Sequence, residues 1–250
     1  MSPDIFLVGM TAVIVGVAFV AGLPILVGRS FDAEGALAAR GEAVAAGVFL
    51  GAGLIHMLGD AAGDFAAAGV DYPWPFLLCG AVVLALLLVE HIGAAADGGS
   101  GSSATLALLA TAMLSVHSFL AGAALGTSGM GAVAVVIFIA IVAHKWAASF
   151  ALAVTLIRSP LARATRIVAF VVFVFFLPLG VAVGAIAAQW NAADPLIAPT
   201  LKALAAGTFV YLGTLHGLAN GTLVARCCEL REFSAVVFGF ALMAVVAIWT

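Results

Sequence analysis

The chemistry of this chain is concentrated in its histidines. All five lie in or at the end of long apolar stretches, at His56, His91, His117, His144 and His216. Histidine is costly in hydrocarbon, so a histidine inside a membrane normally faces the protein interior or an aqueous path. A single one can simply make an interhelical hydrogen bond. Five in one small chain favour a function, and imidazole is a common ligand of transition-metal ions.

His117 and His144 are the best-placed pair. They occur in the segments VHSFLAG and AHKWAAS, each about thirteen residues into its apolar stretch, which is near the middle of a membrane at the rise of a helix. Only the short sequence TSGMG separates the two stretches, so we expect antiparallel neighbouring helices whose histidines meet. The pair predicts a buried site for a metal ion.

The surroundings of this pair are unusual because no acidic residue occurs between Asp97 and Asp194. Lys145 follows His144, and a protonated lysine about 6 Å from a dication would repel it by about 5 kcal/mol at an effective dielectric constant of about 20. Lys145 must therefore either point away from the ion or be uncharged. We interpret it as a residue that tunes the path.

Two alanines lie one helical turn after the histidines, at Ala121 and Ala148, on the same helix faces. Small side chains there leave room for water or a larger ligand. They also allow close helix packing, as small residues do in membranes, and the sequence does not decide between these alternatives.

The composition places the elements that carry these residues in a bilayer. Hydrophobic residues make up 65% of the 250-residue chain and charged residues 8%, which is too little polar surface for a soluble globule. A membrane-spanning helix needs about 20 apolar residues. We predict an all-α membrane protein with one polytopic domain over residues 1–250 and eight transmembrane helices, near 5–28, 42–62, 73–92, 104–127, 131–157, 167–189, 199–224 and 233–249. A Gly/Ser linker at 97–103 separates the third and fourth helices.

Basic residues set the expected orientation, because Lys and Arg are retained on the cytoplasmic side. Seven of the nine fall in alternate loops, at Arg29, Arg40, Arg158, Arg163, Arg166, Arg226 and Arg231. Both termini are therefore expected on the extracytoplasmic side of the cell (inner or plasma) membrane. The sequence contains no basic patch that would indicate a nucleic acid partner.

Other polar residues can be arranged along a path through the bundle. His56 and Asp60 lie one helical turn apart near the outer end of the second span, followed by Asp64 and Asp71 in the predicted outer loop. At the inner side, Glu90 and His91 end the third span, and His216 lies in the seventh. Carboxylates at the outer end would concentrate cations there.

Six segments of the sequence resemble the helix motifs of one known family. HSFLAGAALG from His117 and HKWAASFALA from His144 resemble the fourth- and fifth-helix motifs of the ZIP family of divalent metal transporters. GVFLGAGLIHMLGD, LLLVEHI, FFLPLGVAVG and LAAGTFVYLGTLH are similar to parts of its second, third, sixth and seventh helices, in the same order. The resemblance implies a bundle in which helices 4 and 5 are surrounded by the others, with the transport site between them.

The resemblance also implies roles for individual residues. His117 and His144 match metal ligands of the family, while Ser118 takes the place of an Asn ligand. Ala121 and Ala148 stand where the motif glutamates would be. His216 stands where the seventh helix often has an acidic residue. A divalent metal ion, with zinc expected, would be the substrate, no tightly bound cofactor is expected, and a homodimer is plausible.

Three functions fit this altered, carboxylate-poor site. The leading hypothesis is a metal transporter centred on His117 and His144. The second is a relative that does not transport and serves in binding, sensing or assembly. The third is a transporter of a different substrate, either a softer metal ion that uses Met57 and Met113 or a proton-coupled solute that uses Lys145. An enzyme is not expected, since no nucleophile and base occur at a suitable spacing.

Overall fold

A computed structural model of the chain describes residues 3–28, 31–96, 103–129, 131–190, 195–216 and 230–249. Within these ranges every regular element is helical. The elements are α1 Pro3–Val27, α2 Ala36–Gly51, a first π-helical turn Ala52–Met57, α3 Leu58–Ala67, α4 Trp74–Ala96, α5 Ser103–Thr127, α6 Ala132–Arg158, α7 Arg163–Trp190, α8 Ile197–Tyr211, a second π-helical turn Leu212–His216 and α9 Leu230–Val246. The first π turn joins α2 to α3 in one continuous rod, so the described residues form eight helical rods.

Six of these rods are long and apolar enough to cross a membrane. They cover Ile5–Val27, Ala36–Ala67, Trp74–Gly93, Ala104–Thr127, Ala132–Arg158 and Arg163–Gln189. In the described part of the chain, neither α8 with its π turn nor α9 is among these six rods. The prediction of a multi-pass, all-helical membrane protein is confirmed.

The second rod is longer than predicted at both ends, at 36–67 instead of 42–62. The expectation that Asp64 lies in a loop is wrong, because Asp64 belongs to α3 together with Asp60. The segment that contains them is rich in alanine, which has the highest helix propensity. Asp71 lies beyond the helix and is exposed.

The connection between α5 and α6 is as short as the sequence predicts. Gly129 and Gly131 adopt φ values of 67° and 144°, a region that L side chains rarely enter. Most of the predicted linker at 97–103 lies outside the described residues, and α5 begins at Ser103. The short turn makes α5 and α6 antiparallel neighbours.

Burial identifies three central helices instead of two. Over the most apolar 18 residues of each helix, 67% of the second rod is buried, compared with 61% of α5, 50% of α6 and only 6% of α4. The fourth and fifth spans are therefore interior, as the resemblance implies, and the second span is as central as they are.

Glycines bring α5 and α7 into backbone contact. A Cβ atom at Gly122 would overlap the carbonyl oxygen of Leu177, and one at Gly180 would overlap that of Phe119. The same close approach is repeated one turn further, at Gly126 and Gly184. Small residues at a spacing of four are a common means of close packing between membrane helices. Contact along this face fixes the depth of α5, which carries His117.

The basic residues form contacts at one end of the bundle. Arg158 donates two hydrogen bonds of 2.7 Å to the Glu42 carboxylate and also binds the carbonyl oxygen of Ala33. Arg163 donates to the carbonyl oxygen of Val27 over 2.8 Å. These bonds tie α6 and the start of α7 to the ends of α1 and α2.

Candidate functional site

The two central histidines meet, as the sequence predicts. The ring centroids of His117 and His144 lie 5.6 Å apart with an interplanar angle of 76°. The two residues are 2% and 3% exposed. Two imidazoles that share a tetrahedral metal ion at about 2.0–2.1 Å per bond have ring centres about 5 Å apart. The pair is therefore close to the spacing that a shared ion requires.

Residues of α8 hold His117 in one orientation. Its Nδ1 lies 2.8 Å from Thr208 Oγ1 and 3.2 Å from the carbonyl oxygen of Ala205. The Thr208 hydroxyl itself donates to Ala205 over 2.6 Å. Since the carbonyl can only accept and the hydroxyl proton is already used, Nδ1 is the nitrogen that carries hydrogen. The lone pair is then on Nε2, which is buried without a hydrogen-bond partner in the described structure.

His56 has a comparable arrangement with a carboxylate. Its Nδ1 lies 3.1 Å from Oδ2 of Asp60, one helical turn further along. In the neutral imidazole this bond again leaves Nε2 with the lone pair, the pattern of a carboxylate–histidine–metal triad. His56 is buried at 6% exposure and belongs to the first π turn. Such turns occur frequently at functional sites, and the sequence reasoning did not predict this one.

A small cavity lies between the second rod and His144. Its volume is about 20 Å³, enough for a water-sized ligand. The lining residues are His56, Met57, Ala121, Ala124, Ile137, Ile141, His144 and Lys202. Ala121 thus leaves room for water or a ligand, one of the two alternatives that the sequence left open. Ala148 is not part of the lining and packs in the hydrophobic core, which is the second.

An aromatic ring packs against both histidines. Phe209 stacks on His117 at a centroid distance of 3.5 Å and meets His144 edge-on at 4.9 Å. Sequence reasoning missed both Phe209 and Thr208. The available signal was their position two helical turns before His216, on the same helix face.

Lys145 contacts a hydroxyl group and an aromatic ring. Its Nζ donates a 2.8 Å hydrogen bond to Ser118 Oγ and lies 4.0 Å from the centre of the Phe173 ring. Lys145 is 3% exposed and Ser118 2%. Among the described residues Lys145 forms no ion pair, so a hydroxyl and an aromatic face hold its Nζ. Ser118 accepts this hydrogen bond, and its role as a metal ligand stays a prediction.

Two further predicted residues, Glu90 and His91 of α4, are not brought to this site. His91 is exposed on α4 and Glu90 is half-buried. Both lie in the last turn of the membrane-spanning segment Trp74–Gly93, so they end the third span as predicted, and α4 itself continues to Ala96. The backbone of His216 ends the second π turn, but its side chain lies outside the part of the structure that is described.

No three His, Cys, Asp or Glu side chains in the described ranges are close enough to form a complete metal site. The site therefore consists of the His117–His144 pair and the His56–Asp60 pair, on either side of the cavity. A metal ion held by either pair would take its other ligands from water, backbone or a rearranged helix.

Comparison with known proteins identifies the family. The sequence profile of the ZIP Zinc transporter family matches residues 94–247. The chain belongs to the ZIP family. It is 25% identical to Zinc transporter ZIP2 of Homo sapiens, over 82% of this chain and 84% of that protein. It is 31% identical to Zinc transporter 1 of Oryza sativa subsp. japonica, over 84% of this chain and 74% of that protein. With Zinc transporter ZIP1 of Takifugu rubripes it shares 36% identity over 52% of this chain and 43% of that protein.

Membership of the ZIP family confirms the resemblance found in the helix motifs. It also confirms that the protein is not an enzyme, since the family consists of transporters. The helix motifs still place alanine, at Ala121 and Ala148, where the family resemblance implies glutamate.

Proposed function

We propose that this ZIP-family protein carries a divalent metal ion, with zinc as the expected substrate, along a path centred on His117 and His144. One observation supports this most strongly. The Nδ1 atom of His117 is bound by α8, and its unpartnered Nε2 is buried in a ring 5.6 Å from that of His144. A structural histidine would use both nitrogens, because a buried polar atom without a partner is costly.

The path begins at His56 and Asp60 and passes through the cavity to His144. A dication on this path meets the His56 imidazole before it reaches the midpoint pair, and the carboxylate of Asp60 stabilises its charge through His56. Alternation between conformations would complete the ligand shell at each stage. In the described conformation only pairs of ligands are assembled.

A second candidate substrate is a softer metal ion. Met57 is buried and lines the cavity beside His56 and His144, and thioether sulfur favours soft ions such as Cu(I). The missing motif glutamates change the ligand set in the same direction. Met113 is also buried but does not line this cavity.

Uptake into proteoliposomes that contain the purified protein tests both candidates. Zinc uptake should saturate and should be inhibited by competing divalent ions in a series of iron, manganese, cobalt, cadmium and copper. Stronger inhibition by Cd²⁺ or Cu(I) than by added Zn²⁺ would favour the softer substrate. Absence of uptake for every ion would favour the binding or assembly protein.

We further propose that both termini face outward and that the protein resides in the cell membrane. Arg158, Arg163 and Arg166 lie at one end of the bundle and Lys202 at the other, as the positive-inside rule requires. Modification of single cysteines introduced at each end, by a reagent that does not cross membranes, tests this orientation. Homodimer formation rests on the family resemblance, and the mass in detergent tests it.

A further inference from the structure

A lysine from α8 lies at the outer end of the cavity, opposite the carboxylates of α3. Lys202 Nζ is 2.9 Å from Asp64 Oδ2 and 4.0 Å from Asp60 Oδ2. The same Asp60 oxygen is 3.1 Å from Nδ1 of His56. Lys202 and His56 both line the cavity that leads to His144. One carboxylate oxygen therefore lies beside a lysine side chain and a candidate metal ligand at the same time.

This carboxylate has particular importance in a chain without the motif glutamates. Among the described residues Asp60 is the acidic group bound to a histidine that lines the cavity. A dication with neutral imidazole ligands needs negative charge nearby in a poor solvent. The ammonium group of Lys202 neutralises part of that charge in the metal-free protein.

We propose that Lys202 is a built-in competitor of the metal ion, which must leave Asp60 before a dication can bind beside His56. This inference rests on the proposed function of the same site. Asp64 provides the position to which Lys202 retreats, because the shorter of its two contacts is to Asp64 and Asp64 is the more exposed carboxylate, at 46% against 26% for Asp60. The lysine thus keeps a partner when Asp60 is released.

The competition also discriminates between ions. A dication attracts Asp60 about twice as strongly as a monovalent ion at the same distance. Sodium or potassium gains no advantage over an ammonium group that is already tethered at the site. Lys202 therefore favours divalent over monovalent cations without contacting the transported ion.

The test measures zinc binding to the purified protein by isothermal titration calorimetry, with the variants Lys202→Gln, Lys202→Arg, Asp60→Asn and the double variant Lys202→Gln/Asp60→Asn. Lys202→Gln should tighten binding by about 5-fold or more, within the usual range of coupling between sites. Lys202→Arg keeps the charge and should stay close to the unchanged protein. Asp60→Asn should weaken binding, and in that background Lys202→Gln should have little further effect.

Two results would overturn the proposal. One is unchanged or weaker zinc binding in Lys202→Gln while Lys202→Arg binds normally. The other is a gain from Lys202→Gln that is equally large with Asp60→Asn, because the lysine would then act independently of that carboxylate. Binding is measured without transport, so failure of uptake by the unchanged protein would reject the proposed function and not this inference.

Discussion

Thr208 on α8 and His117 on α5 are joined by a 2.8 Å hydrogen bond between Oγ1 and Nδ1, across 91 residues of sequence. The bond sets which nitrogen of His117 carries the proton and which has the lone pair. A residue of α8 thus orients His117, the candidate metal ligand on α5. In this view the seventh span contributes to the site even without an acidic residue of its own.

Loss of this hydrogen bond should weaken metal binding. Thr208→Val keeps the shape of the side chain but removes the oxygen, and we expect zinc affinity to fall about 10-fold, the lower end for outer-shell partners of ligands. The carbonyl oxygen of Ala205 still accepts from Nδ1, which limits the loss. Thr208→Ser retains the hydroxyl and should bind nearly as well. Calorimetric titration decides, and equal affinities for the valine and serine variants would refute the role of Thr208.

Glutamate should improve zinc binding at one of the two alanine positions and reduce stability at the other. Ala121 lines the cavity, so Ala121→Glu places a carboxylate beside His144 and should strengthen zinc binding by about 10-fold or more, within the range of a 2–3 kcal/mol charged interaction. Ala148 is 2% exposed in the core, and Ala148→Glu should lower the thermal unfolding midpoint because a buried charge has no partner there. The same calorimetry and a melting curve in detergent compare the two. Tighter zinc binding in Ala148→Glu together with a lower unfolding midpoint in Ala121→Glu would contradict the positions of these side chains.

The buried pair of Lys145 and Ser118 should be visible in stability. Ser118→Ala removes the hydroxyl that accepts the 2.8 Å hydrogen bond from Lys145, which should cost about 1–3 kcal/mol because it leaves a buried donor without its partner. Adding Lys145→Met removes that buried donor and should recover most of the loss. Chemical denaturation in detergent measures both variants. A double variant less stable than Ser118→Ala alone would mean that other groups hold Lys145.

Close contact between α5 and α7 predicts a marked sensitivity to size. Gly180→Leu would force a side chain into the backbone of Phe119 and should destabilise the protein by about 1–3 kcal/mol or more. Gly80→Leu is the matched control on α4, where a Cβ would meet nothing within 4 Å. Both variants can be compared by melting temperature in detergent. Equal midpoints would show that α7 can move away from α5 without cost.

The sequence was sufficient for the helix order and for the central histidine pair. Apolar length determines the spans, and the short TSGMG turn makes two of them neighbours, so equal depth is enough to predict that His117 and His144 meet. Composition does not mark helix ends within alanine-rich segments. For that reason the extension of the second rod, which carries Asp64, was not predicted.

Contacts between distant helices could not be predicted. Thr208, Phe209 and Lys202 reach the site from α8, and their roles depend on how that helix is rotated against α3, α5 and α6. Apolar periodicity does not determine rotation when every face of a helix is hydrophobic. The π turn that contains His56 likewise has no local sequence signature.

Zinc uptake into proteoliposomes by the unchanged protein and by His117→Ala and His144→Ala tests the central claim most directly. We expect saturable uptake by the unchanged protein and a loss of most of it in each variant, because each removes one of the two midpoint ligands. All three proteins should be equally folded by size-exclusion chromatography. Undiminished uptake by both variants, or none by the unchanged protein, would contradict transport through this histidine pair.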